Sequence, residues 1–534
     1  MTDLVLADLT FRIPGSVVTT ATYGFTNGLE YHGANAPRVY APRMLEFVNL
    51  ERHAVADGKT FGPTDTSPAV LRIANPDGLY DDWKSYGGAA AVFRLADSTT
   101  QDYDTTTVIA TLRILRIEAD FEEVRLHLED RSAETDQDIQ TDLYAGTNSG
   151  STGVEGLPSD LKGKPRPDAF GYVFQVPLPW ANESALILEL DSQRIENIAD
   201  GNVYDGLVGL TRGTSRANLA ALQAGTPTAG TFDYYLGGSE DGAYIKLGSA
   251  PNYSITADIE GKAPSGTFLN TPAELFDWIL QNRAGVAYTD ISAADLTALA
   301  TDAPYDLGIW LDTQTSVRAV LDLIAASLPG YWYVDALGVY HIKQLRDPSG
   351  ETPIATFKVI EPTGIAKASD GDVVSIEKIS TNDAGGGKPV KKVNVYYKRF
   401  YQITDFGFDT ASTIALRSEA KNEWRIATAS DSTVEDVHDD AATMDVYTAL
   451  VDEADAQDVA DLLLEIYSVP RDRFRLTVRI AAAISNDLEL GDYISVEFPR
   501  FGMDSGKTFE VRGLRYRGAD DEEIGDLAVL DIWG

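Results

Sequence analysis

A mainly β protein with an α+β insertion is predicted by three features of this 534-residue sequence. Apolar residues alternate with polar ones over many short runs. Glycine (45), tyrosine (25) and phenylalanine (19) are plentiful within and between those runs. Helix-capping patterns, by contrast, gather in one stretch near 270–330. The expected product is several antiparallel barrel or sandwich domains, divided at 1–150, 151–265, 266–350 and 351–534.

Residues 111–130, TLRILRIEADFEEVRLHLED, read as two strands around a turn near 118–123. Leu112, Leu115 and Ile117, then Val124, Leu126 and Leu128, supply most of the alternation. Residues 171–261 read as a meander of short strands, with Leu186, Leu188 and Leu190 on one face and turns near 237–242 and 248–252. Helices follow. Thr271-Pro272-Ala273-Glu274 is a capping box with proline at the first helical position, and Leu275, Ile279 and Leu280 give part of an apolar face. Ser292 and Asp295 repeat the cap before Leu296 and Leu299. After Thr315, the residues Val317, Val320, Leu321, Ile324 and Leu328 form one stripe, which Pro329-Gly330 ends. The next stretch, YWYVDALGVYHIKQL, reads as a hairpin turning at 335–338.

Strands return from Thr352. Residues 382–388 read as a flexible glycine loop, and 370–372 and 520–523 as acidic turns. One further helix is expected over 454–467, with Val459, Leu462, Leu463 and Ile466 on one face. Four strands, FRLTVRIA, YISVEF, TFEVRGLRYRG and LAVLDIW, complete a small barrel or sandwich.

Charge and cysteine content narrow the function. Acids number 82 against 44 bases, a net charge of −38, which repels nucleic-acid phosphate and anionic lipid. The absence of cysteine excludes disulfides, thiolate zinc sites, iron–sulfur clusters and cysteine nucleophiles. The opening MTDLVLADLTFRIPG has no basic stretch ahead of an apolar run, so no secretory leader is expected in it. No run approaches the ~20 apolar residues needed to span a bilayer.

Catalytic patterns fail on their spacing. Residues 502–508, GMDSGKT, have three residues between the glycines where a phosphate loop needs four, and a strand follows where a helix is needed. The five histidines show no metal-ligand spacing, and Ser239 sits in a turn with no nucleophile-elbow pattern. No catalytic set, metal or cofactor is expected.

Two other groups stand out. Residues 431–465 hold twelve acids and no Lys or Arg, whereas 388–425 hold eight bases and four acids. The acidic run reads either as a solvated face or as a wall toward a polyanion that must not stick, and the bases as its neutralising partners. Asp436, Asp439, Asp440 and Asp445 are the candidate channel-facing acids. Tyr331 and Trp332, with Tyr396, Tyr397 and Phe400, are candidate interface aromatics; packing within the chain is the competing role.

Four stretches, in order, resemble one family. LYAGTNSGSTGVEGLPSDLKGKPRPDAFGYVFQVP resembles the segment joining two β domains in phage tail proteins, and GAYIKLGSAPNYSITADIEG the segment that follows it. TSVRAVLDLIAASLPGYWYVDALGVYHIKQL resembles the helix and hairpin of tail hub proteins, and LELGDYISVEFPRFGMDSGKTFEVRGLRYRG their closing barrel. The resemblance is to baseplate hub or tail-tip proteins of long-tailed bacteriophages and gene transfer agents. It implies a non-catalytic virion protein, assembled in the bacterial host cytoplasm as a homotrimeric ring at the tail tip. The implied partners are distal tail and tube proteins, tail fibre or receptor-binding proteins, and the tape-measure protein; DNA would pass through without specific binding. Two rivals are another tail component, such as a distal ring or receptor-binding protein, and a secreted polysaccharide-binding or -hydrolysing protein.

Overall fold

The computed structural model describes residues 3–14, 19–28, 30–45, 50–55, 61–62, 69–97, 102–238, 241–359, 373–380, 387–479, 488–517 and 527–534. Ser239, the acidic turns at 370–372 and 520–523, and most of the glycine loop lie outside these residues.

The fold is mainly β, with sheets that curl into half-barrels. An N-terminal sheet of six antiparallel strands runs in the order Thr19–Thr26, Asp3–Ile13, Gly87–Asp97, Thr107–Ala119, Glu123–Glu129, Ala69–Ala74. Its expected hairpin is present with one correction. Leu115 is exposed and Ile114 buried, as period-2 alternation from Leu112 requires, and a register shift between Ile114 and Arg116 adds the residue that brings Ile117 back to the core side. Trp83 packs beneath this sheet, its ring centroid 4.5 Å from those of both Phe11 and Tyr80.

Residues 168–262 do not form a simple meander. Asp168–Pro177 lies in one sheet between Ile255–Lys262 and the edge strand Gly308–Leu311. Four strands form another: Thr211–Ser215, Thr231–Tyr235, Ala243–Leu247 and Ile187–Asp191, the first two parallel. Leu186 precedes its strand in a left-handed conformation. The strand Ile187–Asp191 is buried throughout, Glu189 and Asp191 included, so alternation cannot mark a solvent face there.

The helical stretch follows its caps. Pro272–Ile279 carries the full capping box of Thr271 and Glu274. Ala293–Asp302 is capped by Ser292, and Val317–Ser327 by Ser316. Val317, Val320, Leu321 and Ile324 are buried, each apolar side chain stabilising by about 1.5–3 kcal/mol. The hairpin Gly330–Val334 with Tyr340–Gln344 turns where Asp335 Oδ1 accepts from the N–H groups of Leu337 and Val339.

The C-terminal sheet runs Ala355–Lys358, Tyr493–Phe498, Met503–Arg517, Leu527–Trp533, Arg473–Arg479, Val373–Ile379. Gly502 closes the turn into Met503–Arg517, so the phosphate-loop look-alike is a hairpin. The N-terminal strand Leu50–His53 pairs with Met503–Arg517. The N- and C-terminal sheets share one apolar core, which also takes in Tyr331 and Tyr333. Short helices at Leu219–Ala224, Ile414–Glu419 and Thr433–Val437 add to the expected ones. Among the described residues no helix is long and apolar enough to cross a membrane.

Candidate interaction surface

Three strands stand apart from the larger sheets. Val390–Tyr397 lies between Arg425–Ser430, antiparallel, and Ala442–Tyr447, parallel. Val393, Val395, Ala427, Ala429, Met444 and Val446 point inward, and the helix Glu453–Tyr467 covers them with Ala456, Val459, Ala460 and Leu463. Period-2 alternation then places the polar set outside. Register arranges that outer face in rows: Ser430, Lys392, Thr443; then Thr428, Asn394, Asp445; then Ile426, Tyr396, Tyr447.

The rows differ in chemistry. In the middle row Asn394 Nδ2 donates to Asp445 Oδ1 at 2.7 Å, and Thr428 Oγ1 donates to Asn394 Oδ1 at 3.1 Å. In the last row the rings of Tyr396 and Tyr447 stack with centroids 4.3 Å apart, and Trp424 meets Tyr447 edge-on at 5.6 Å. The Arg399 guanidinium lies over both Trp424 and Tyr401 while pairing with Glu423.

This face brings together two sequence candidates, Tyr396 and Asp445. The other acids lie elsewhere. Asp436, Asp439 and Asp440 are exposed at the end where Val390–Tyr397 begins, beside the short helix Thr433–Val437. There Lys388 pairs with Asp440 and Lys391 with Glu435. The hydrogen bond and charge of Lys388 hold Asp440 below the usual carboxylate range. Part of the basic stretch thus neutralises part of the acidic run within the same chain.

The aromatic candidates need correction. Tyr331 and Trp332 are fully buried, and Tyr397 and Phe400 nearly so. The Tyr331 hydroxyl donates to Glu510, and the Arg512 guanidinium sits 4.4 Å from its ring. Trp332 Nε1 donates to Asp322 Oδ1 at 2.7 Å. The hairpin holding them is covered on one side by Val317–Ser327 and on the other by the C-terminal sheet, so both of its faces are interior. Tyr396 alone of the five reaches the surface.

Two buried ionic clusters and one half-buried cluster escaped the sequence reading. Lys262 Nζ lies 2.7 Å from both Asp168 Oδ1 and Asp191 Oδ1, and Arg283 adds a contact to Asp168 at 3.3 Å. Burial pushes the Asp168 carboxyl up, but Lys262 and Arg283 outweigh it and hold the group low. Arg166 bridges Glu189 and Glu155 and so fastens the segment 143–165 onto the strand Ile187–Asp191. Burial there exceeds the pull of Arg166 and lifts Glu189 to about 7. His341 lies between Asp295 (2.6 Å) and Asp335 (3.3 Å) and stacks on Tyr333. Burial lowers its pKa, but the two carboxylates prevail and raise it to about 9. The only early signal was a charged residue within an apolar strand, such as Lys262. Among the described residues no group of three or more His, Asp or Glu side chains is placed to hold a metal ion.

No family model matches the chain, and no curated protein matches it. Solved structures similar to it include the tail protein from Neisseria meningitidis MC58, at 8% identity over 99% of this chain and 96% of that one, TM-score 0.40. The prophage MuSo2 43 kDa tail protein from Shewanella oneidensis shows 9% identity over 99% and 96%, TM-score 0.40. A chain in the virion of a native gene transfer agent particle shows 15% identity over 70% and 85%, TM-score 0.41. All three TM-scores lie below 0.5.

Proposed function

We propose that this chain is a structural subunit of a phage-type tail, working at the tail tip as a hub that closes into a threefold ring around the path of DNA. The observation that carries this reading is how the four resembling stretches are built against one another. The strand Asp168–Pro177 of the first pairs with Ile255–Lys262 at the end of the second. Tyr331 of the third bonds Glu510 of the fourth. Stretches that resemble one family in order, and that also pack pairwise, support a shared architecture over chance glycine spacing.

The role is mechanical. Distal tail, tube, fibre and tape-measure proteins are the proposed neighbours in the virion. The acidic excess serves the DNA path, where phosphate sliding past carboxylates finds no counter-charge and no counterion release to favour binding. The exposed positions of Asp436, Asp439 and Asp445 support this, whereas Asp440 already has Lys388 as its counter-charge. Electron microscopy of the purified assembly tests the reading. Three copies around an open passage are expected; six copies, a monomer in the mature particle or a passage lined by Lys and Arg would reject it.

A further inference from the structure

Among the described residues Lys262 is the one lysine that is fully buried. Its Nζ lies 2.7 Å from Asp168 Oδ1 and 2.7 Å from Asp191 Oδ1, on two carboxylates that are themselves closed to solvent. Phe170 walls the site, its ring centroid 5.3 Å from the same nitrogen. An ammonium and two carboxylates held in this way carry a desolvation cost that their attraction repays only in part. Joining the amine to one carboxyl as an amide removes both charges and releases water, so a dry interior favours the neutral product.

The two carboxyls are prepared differently. Asp168 Oδ1 also accepts from Ser192 Oγ at 2.6 Å, and Arg283 Nη2 stands 3.3 Å from Oδ2. With two cations on it, Asp168 stays ionised despite its burial. Asp191 faces backbone instead. Its Oδ2 accepts from the Ala169 N–H at 2.6 Å and its Oδ1 from the Gln193 N–H at 2.7 Å. Burial, outweighing Lys262, raises this carboxyl, and the charge of Asp168 adds to the rise. An ionised carboxylate beside an amine serves as a base, and a protonated carboxyl with N–H donors on its oxygens serves as an electrophile.

We infer that Lys262 and Asp191 condense into an intramolecular amide, Nζ to Cγ, with Asp168 as the base that promotes it. Asp168 takes a proton from the Lys262 ammonium. The freed amine pair attacks Asp191 Cγ and forms the C–N bond, while the carbonyl pair moves onto Oδ2, where the Ala169 N–H holds it. Asp168 passes its proton to the hydroxyl oxygen, the C–O bond breaks and water leaves. The nitrogen then gives its extra proton to Asp168. One ammonium, one carboxylic acid and one carboxylate become one amide, one water and one carboxylic acid, with no oxidant and no cofactor. Contact at 2.7 Å spares the reaction the entropy of bringing the groups together, and exclusion of water protects the product from hydrolysis.

The bond joins two sheets. Asp191 ends the strand Ile187–Asp191 of one, and Lys262 ends the strand Ile255–Lys262 of the other, 71 positions away. A chain without cysteine thereby gains a covalent tie that reduction does not break. The inference stands on this cluster alone and is independent of the tail reading.

Intact mass spectrometry of the full chain under denaturing conditions tests this. The wild-type mass is expected to fall one water below that of the sequence. After trypsin, cleavage at Lys262 is expected to be lost and one branched peptide to link Asp191 with Lys262. Lys262→Arg and Asp168→Asn are each expected at their full sequence mass. If Asp168→Asn does not melt cooperatively, Asp168→Ser takes its place. A folded wild-type chain at full sequence mass overturns the inference. A loss of water that persists in Lys262→Arg arises elsewhere and overturns it too. A branched peptide joining Lys262 to Asp168 overturns the choice of acceptor, and a condensed Asp168→Asn overturns the role of Asp168 as base.

Discussion

Lys262 Nζ lies 2.7 Å from Asp168 Oδ1, and neither side chain reaches solvent. The pair ties the strand Ile255–Lys262 to its neighbour Asp168–Pro177, and Arg283 extends it toward the helical stretch. Replacing Lys262 with Met strands Asp168 and Asp191 without their shared cation. A loss of about 3–5 kcal/mol is expected for breaking a buried pair from one side, read as a lower denaturant midpoint at unchanged slope. A change within experimental error would show that the carboxylates simply take up protons at little cost.

Stability is expected to fall in two steps as pH rises. The Glu189 carboxyl is raised to about 7 in the fold, so its contribution is full below about 4.5 and is lost as pH climbs through 7. His341, raised to about 9, stabilises fully below about 6.5 by roughly 3 kcal/mol, and that is lost through 9. Glu189→Gln should remove the first step and His341→Gln the second in melting temperature against pH. A wild-type curve flat from pH 5 to 9 would contradict both assignments.

Asp347 behaves in the opposite sense. Its hydrogen bonds to Arg471 hold it at about 2, so its stabilisation is present above about 3.8 and is lost as pH falls through 2. Asp347→Asn should lower stability at neutral pH and leave it little changed near pH 2. An equal effect at both pH values would assign the loss to packing.

For the acidic run, Asp436→Lys, Asp439→Lys and Asp440→Lys combined should slow DNA ejection at low salt, with moderate salt restoring the rate. Normal ejection from intact particles would place these three acids off the DNA path.

How far the sequence could be read depended on the range of each interaction. The caps of Thr271 and Ser292 are local, so both helices were legible. Alternation in Val390–Tyr397 sends Lys392, Asn394 and Tyr396 outward and Val393, Val395 and Tyr397 inward, a period-2 pattern that the grouping of Tyr396 with Tyr397 as interface aromatics overlooked. Tyr331 and Trp332 misled, because an aromatic hairpin has the same pattern whether a sheet or a partner covers it. Lys262 and Arg166 were invisible as pairs, since their partners arrive from other strands. The strand Leu50–His53 was missed for the same reason: Arg52 bonds Glu489, 437 positions away.

That early strand has a consequence for synthesis. Leu50–His53 can take its place only against Met503–Arg517, and Leu527–Trp533 must slot between Met503–Arg517 and Arg473–Arg479. The shared core beneath both large sheets therefore stays open until the strand Leu527–Trp533 has been made. A nascent chain released early would lack the central strand of its own last sheet and expose the core of its first. The topology thus makes closure of that core wait on residues 527–533, the strand that joins the two halves of the sheet.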